Sequence, residues 1–123
     1  LCLLRIDSQH STLDRIRAGD LLPMHFGAAG KVLLQGNSEE GAGRLQVSFG
    51  ERDPSCAAVA GPVYGPGGEL MGALSLSGPR DRFPDEAVQR MQTLLLPACM
   101  EATRRLGGRW PSPAAAQPAV RQR

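Results

Sequence analysis

Two apolar runs separated by four turn residues constrain the fold of this chain more than any other feature. The runs are 56–64 (CAAVAGPVY) and 69–78 (ELMGALSLSG), and the linker between them is GPGG. Because glycine and proline favour tight turns between strand-forming runs, the pattern predicts an antiparallel β-hairpin. A symmetric closure of the linker pairs Tyr64 with Glu69. The pairs that follow from this register are Ala60 with Ala73, Ala58 with Ser75, and Cys56 with Ser77.

The predicted hairpin has one bulky face and one small face, because side chains alternate across a strand. The bulky face suits a core and carries Val59, Val63, Leu70, Leu74 and Leu76. The other face carries only small side chains, namely Cys56, Ala58, Ala60, Ala73, Ser75 and Ser77. The small face suits a closely packed helix or exposure to solvent. It also suits the floor of a pocket in which two hydroxyls orient a small ligand.

Further strands and helices are expected on both sides of the hairpin. Strands are predicted at 1–6 (LCLLRI) and 45–49 (LQVSF), and a short helix near 26–34 (FGAAGKVLL), whose glycines indicate close approach to a neighbour or ligand. A longer amphipathic helix is predicted after Pro84, with a kink or break near Pro97. Because three prolines follow Trp110 with little to bury, the sequence predicts one domain, 1–108, and a disordered tail, 109–123.

Charge and cysteine content argue against several classes of protein. Lysine and arginine number 14 against 12 aspartate and glutamate, a formal net charge of +2, so direct nucleic-acid binding by this chain is not favoured. The three cysteines are widely spaced, which fits reduced thiols in a cytoplasmic protein. No apolar run approaches the ~20 residues of a membrane span, and no signal peptide is visible.

Motifs of catalysis are equally sparse. The nucleophile pattern GxSxG is absent, and 27–31 (GAAGK) does not meet the phosphate-loop pattern. We therefore expect no enzyme, no cofactor and no metal site. A small hydrolase using Cys56 or Ser75 with His25 stays open as an alternative. The backbone amides at Ala28 and Ala29, which open the short helix, would suit a small carboxylate.

Three motifs in order resemble one protein family. Segment 22–34 (LPMHFGAAGKVLL) resembles the LPxHxxxxGKxLL signature of the effector-binding domain of IclR-type bacterial transcriptional regulators. Segment 50–63 (GERDPSCAAVAGPV) resembles that family's GERDPxxxAVAAPV stretch, and 74–79 (LSLSGP) resembles its SVSGP strand end. The resemblance covers about 1–108. It implies an α/β (α+β) domain of GAF-like fold, with helices packed on a mixed or antiparallel sheet.

The resemblance also implies a site for a small-molecule effector, expected to be an organic or aromatic acid. The positions that match the family's pocket are Leu22, Ala28, Ala29, Ser48, Ala58, Ser75 and Ser77. The family normally has a further few dozen residues between Leu34 and Leu45, where this chain has a ten-residue loop. A pocket without that cover would be open on one side.

Partners follow from the same resemblance. The family forms homodimers or tetramers, and it contacts DNA through an N-terminal winged helix-turn-helix that this chain lacks. Because the chain starts inside an apolar run without Met, we expect it to be a piece of a longer polypeptide. The alternative function is a structural oligomerisation module with no functional ligand pocket.

Overall fold

The computed structural model describes residues 1–6, 18–21, 27–51 and 53–111, and the structural statements below concern those residues. The elements are α1 (Ala28–Gln35), β1 (Gln46–Phe49), β2 (Cys56–Tyr64), β3 (Leu70–Pro79), a 3-10 turn (Arg80–Arg82) and α2 (Asp85–Arg105). The three strands form one antiparallel sheet in the order β1-β2-β3. The predicted hairpin is therefore confirmed, and β2 is its central strand.

The hairpin register differs from the predicted one by two residues. Ala58 pairs with Ser77 and Ala60 with Ser75, while Cys56 pairs with Pro79. One residue of the difference lies in the loop, where the amide of Gly65 donates to the carbonyl of Glu69, and Tyr64 pairs with Leu70. The other is a β-bulge between Val63 and Tyr64.

A displacement of two residues leaves each side chain on its predicted face, because the side-chain period of a strand is two. Ala58, Ser75 and Ser77 therefore share one face of the sheet, as predicted. Beyond the bulge the sides reverse. Leu70 accordingly lies against Gly36 at the end of α1, and its predicted place on the bulky face is wrong.

The two helices cover opposite faces of β2, so all nine residues of that strand are buried. The core on the α2 side consists of Ala57, Val59, Phe83, Val88, Leu95 and Cys99. On the other side, Ala28 and Val32 of α1 pack against Ala58 and Ala60. Small side chains on this face of β2 thus let the short helix approach closely. Leu74 and Leu76 of β3 are 37% and 41% exposed, so the described packing covers them only in part.

Helix α2 is a single helix of 21 residues that continues through Pro97, so the predicted break is absent. A proline removes one backbone hydrogen bond from a helix. Pro97 and Thr93, whose carbonyl loses its donor, are both on the exposed side of α2, where water can serve that carbonyl. The helix ends at Arg105, and Gly107 follows with a φ of 71°, a conformation that favours glycine.

Both ends of the described chain differ from the sequence prediction of a strand at 1–6 and a tail from residue 109. The segment at 1–6 is not a strand of the sheet; it bonds to residues 18–21, with the Cys2 amide 2.9 Å from the Asp20 carbonyl oxygen. Residues 109–111, which the sequence assigns to the tail, contact the hairpin loop. The amide of Arg109 donates to the Gly65 carbonyl at 2.9 Å, and the Trp110 ring meets the Tyr64 ring edge-on.

Candidate functional site

Most of the predicted effector residues lie on one side of the sheet. Ser48 pairs with Ala58, and Ala58 pairs with Ser77, so the three form a row across β1, β2 and β3. Ser75 lies in the next row, paired with Ala60. The structure therefore brings together residues that are far apart in the sequence. Leu22, and the His25 of the hydrolase alternative, fall outside the described residues.

Helix α1 divides this row into a covered part and an open part. Ala28 is 1% exposed, and the helix covers Ser48 and Ala58, which are 5% and 8% exposed. Ala29 is half-buried beside them, whereas Ser75 and Ser77 are exposed on β3. The arrangement is a shelf beside the helix, open to solvent on its β3 side. We refer to Ala28, Ala29, Ser75 and Ser77 as the α1 shelf.

An internal carboxylate lies at the first turn of α1. The Gly27 amide donates to Glu51 Oε1 at 3.3 Å, and Lys31 Nζ donates to Glu51 Oε2 at 2.6 Å. Lys31 also donates to the Val47 carbonyl at 3.0 Å. The hydrogen bond from Lys31 lowers the pKa of the Glu51 carboxyl against the opposing effect of burial, so this group is ionised at neutral pH.

These contacts join α1 to the β1–β2 turn and neutralise the charge of Lys31. Lys31 and Glu51 belong to the two motifs quoted above, GK and GERDP, yet their pairing is not apparent from the sequence. The two residues are 20 positions apart, and nothing in either motif indicates that they meet.

Two cavities lie away from the shelf. A cavity of ≈ 280 Å³ is bounded by the loop after α1, the hairpin loop and the segment after α2, and its lining includes Ala42, Tyr64, Gly68, Arg109 and Trp110. Another runs along α2 beside Leu94. Within the described ranges, no group of three or more potential metal ligands occurs, and no helix is both long and apolar enough to cross a membrane.

We compared the chain with protein-family models, with curated proteins and with solved structures. No protein-family model matches the chain, and no curated protein matches it. Solved structures do match. One domain of a protein described as an IclR-family transcriptional regulator is 20% identical to this chain. The two superimpose with a TM-score of 0.78, and the match covers 90% of this chain and 82% of the other. The fold is that of the IclR C-terminal domains.

Two longer structures agree with this IclR-type fold. The IclR protein of Thermotoga maritima is 16% identical, with a TM-score of 0.72 over 83% of this chain and 54% of its own. A regulator described as IclR-type from a Silicibacter species is 20% identical, with a TM-score of 0.69 over 87% and 55%. This chain thus spans about half the length of those two proteins. The fold class predicted from the sequence, GAF-like α/β with an antiparallel sheet, is confirmed.

Proposed function

We propose that this chain is the effector-binding and dimerising domain of an IclR-type transcriptional regulator. The observation that carries the proposal is a row of three predicted site residues, Ser48, Ala58 and Ser77, which crosses the sheet beside α1 and ends at the α1 shelf. The IclR-type fold supports it, because solved structures with this fold are described as transcriptional regulators. We assign DNA binding to a part of the protein outside this chain.

The ligand that this shelf suits is a small organic or aromatic acid. The first amides of a helix have no acceptor within the helix, and they carry the positive end of its dipole. At α1 the amide of Lys31 already donates to the Gly27 carbonyl, at 3.1 Å. The amides of Ala28 and Ala29 come before it. In this proposal they hold the carboxylate, and the hydroxyls of Ser75 and Ser77 bind the ligand from β3.

The mechanism we propose is a shift between quaternary arrangements. An acid that binds one arrangement of a homodimer or tetramer better than another biases that equilibrium, and with it the DNA-binding domains. Such a regulator works in the cytoplasm. In this assignment the sensing unit is residues 1–108, with Leu22 as a further contact. Residues 109–123 follow it as a tail, of which Arg109 and Trp110 contact the hairpin.

Thermal unfolding of the 123-residue chain, followed by circular dichroism with a panel of small carboxylates and aromatic acids, tests the proposal. A ligand at about 100 times its Kd stabilises a domain by roughly 2.7 kcal/mol, a shift of several degrees. With a hit in hand, the double variant Ser75→Ala/Ser77→Ala should weaken binding while leaving the unliganded Tm in place. Thr93→Val, which removes an exposed hydroxyl from α2, is the matched control. Unchanged affinity in the double variant refutes the site assignment.

The second candidate function is an oligomerisation module without a ligand. It is favoured by the burial of Ser48 and Ala58 under α1 and by the openness of the shelf. A chain that unfolds cooperatively, forms dimers in sedimentation experiments and gains stability from no acid in the panel would establish this alternative.

A further inference from the structure

The loop between α1 and β1 contains an arginine with two buried and unpartnered nitrogen atoms. Nε and Nη2 of Arg44 are shielded from solvent, and neither has a hydrogen-bond partner among the residues that the structure describes. Buried polar groups in folded proteins almost always have a partner, and a buried donor that carries charge is especially costly without one. The two nitrogen atoms are therefore available to bind a group other than the described residues.

The positions of the two donors define the shape of that group. The N–H bonds of Nε and Nη2 point from the same edge of the planar guanidinium, so together they match two oxygen atoms of one group. Arg104 shows this geometry within the same chain: its Nε donates to Glu101 Oε1 at 2.9 Å and its Nη2 to Oε2 at 2.6 Å. A carboxylate presents two such oxygen atoms, and it is the group that the same edge of Arg104 binds within this chain.

The backbone that carries Arg44 is held firmly. The amide of Arg44 donates to the Gly41 carbonyl at 3.2 Å, and the amide of Gly43 donates to the buried hydroxyl of Tyr64 at 2.8 Å. That hydroxyl donates in turn to the Gly36 carbonyl at 2.7 Å. Because the loop is fixed at several points, the backbone at Arg44 is in place before any ligand arrives, which reduces the entropy lost on binding.

The same loop borders the ≈ 280 Å³ cavity. Ala42 lines it, together with Arg109, a second cation, and the ring of Trp110. An acidic side chain on the surface of another protein would not reach nitrogen atoms that solvent does not reach. Arg44 is not itself a lining residue of the cavity, so a compact anion reaches the two nitrogen atoms when the Arg44 side chain rotates, without movement of the loop backbone.

We propose that Arg44 is the anchor of a second ligand site, which takes a compact carboxylate on its Nε–Nη2 edge. The site is separate from the α1 shelf, since Arg44 is not among the residues assigned there. Its ligand is recognised by charge pairing with a guanidinium, whereas the shelf offers backbone amides and hydroxyls. A negative binding result at one site therefore does not refute the other site.

Nuclear magnetic resonance of the arginine Nε–H groups in the ¹⁵N-labelled chain tests this site directly. Sodium acetate is titrated at constant ionic strength, with sodium chloride and inorganic phosphate as parallel arms. We expect a saturable shift of the Arg44 resonance with acetate. Arg44→Lys should weaken acetate binding at least tenfold, because an ammonium group cannot form the paired contact. Arg90→Gln, on the exposed face of α2, should leave it unchanged.

A second variant keeps the proposal falsifiable if Arg44→Lys folds poorly. Arg44→Met removes the unpaired charge, so it should melt at or above the Tm of the unchanged chain in anion-poor buffer and gain no stability from acetate. Marked destabilisation of Arg44→Met in that buffer would mean that Arg44 has an internal partner, and would overturn the proposal. An Arg44 resonance that acetate leaves in place, that chloride shifts equally, or that only phosphate saturates would overturn it as well.

Discussion

The hydroxyl of Tyr64 ties the α1–β1 loop to the sheet, and its removal gives the sharpest test of how this fold is held. Tyr64 is 1% exposed. Its hydroxyl donates to the Gly36 carbonyl at 2.7 Å and accepts from the Gly43 amide at 2.8 Å. Tyr64→Phe deletes both bonds, keeps the ring and leaves two backbone groups without their partner.

The expected cost follows from those two bonds. The buried Gly36 carbonyl, left without its donor, costs about 1–3 kcal/mol, and the loss of the part-buried Gly43 bond costs about 0.5–1 kcal/mol, so Tyr64→Phe should lower the free energy of unfolding by about 2–4 kcal/mol. That is a large share of the roughly 5–15 kcal/mol available to a small domain, and it corresponds to a Tm lower by roughly 10 °C or more. Urea denaturation followed by far-ultraviolet circular dichroism measures the loss as a lower midpoint at an unchanged m-value.

Hydrogen exchange shows where Tyr64→Phe destabilises the structure. The Gly43 amide should lose protection in Tyr64→Phe relative to the amides of β2. Thr93→Val deletes an exposed hydroxyl bonded within α2, and it should change stability by no more than about 0.5 kcal/mol. A loss below about 0.5 kcal/mol in Tyr64→Phe, with the Gly43 amide still protected, would show that the loop is held by something other than this hydroxyl.

Three further substitutions and one alkylation experiment test packing, helix geometry and ionisation. Gly61→Ala would place a methyl group 2.5 Å from Cys99 Sγ, so urea denaturation should show a loss of about 1–3 kcal/mol. Pro97→Ala restores an amide inside α2 and should raise stability, by up to about 3 kcal/mol, in the same assay. Burial raises the pKa of the Cys99 thiol to about 11, so it should resist alkylation in the native protein, while Cys2 reacts at once. Because Lys31 lowers the pKa of Glu51, the stability from this pair is present above the ordinary carboxyl pKa and lost as pH falls through the lowered one. Glu51→Gln should remove that part of the acid dependence of Tm.

The hairpin was predictable because its signals are local, whereas its register was not. Four turn residues between two apolar runs are sufficient to indicate a hairpin. The bulge beside Val63 depends on how Tyr64 and Leu70 pack against the end of α1, and no short stretch of sequence encodes that. The predicted face of Ala58, Ser75 and Ser77 is nevertheless correct. The two single-residue shifts add to one full period of the strand, so these side chains stay on the same side of the sheet.

The candidate site was predictable as a set of positions but not as a shape. Family motifs identified the residues of the α1 shelf, and alternation placed several of them on one face. How far α1 covers that face depends on the side chains of helix and sheet together, so the burial of Ser48 was not visible. Contacts between distant segments, such as Lys31 with Glu51, were equally hidden because no local pattern joins them.

The edge-on contact of Tyr64 and Trp110, with ring centroids 5.3 Å apart, gives this chain a built-in optical reporter. The chain contains one tyrosine and one tryptophan. Light absorbed by the phenol can therefore be emitted by a single indole, and the efficiency of that transfer depends on whether the segment after α2 stays against the hairpin. Indole emission after tyrosine excitation thus follows the docking of this segment without any attached dye.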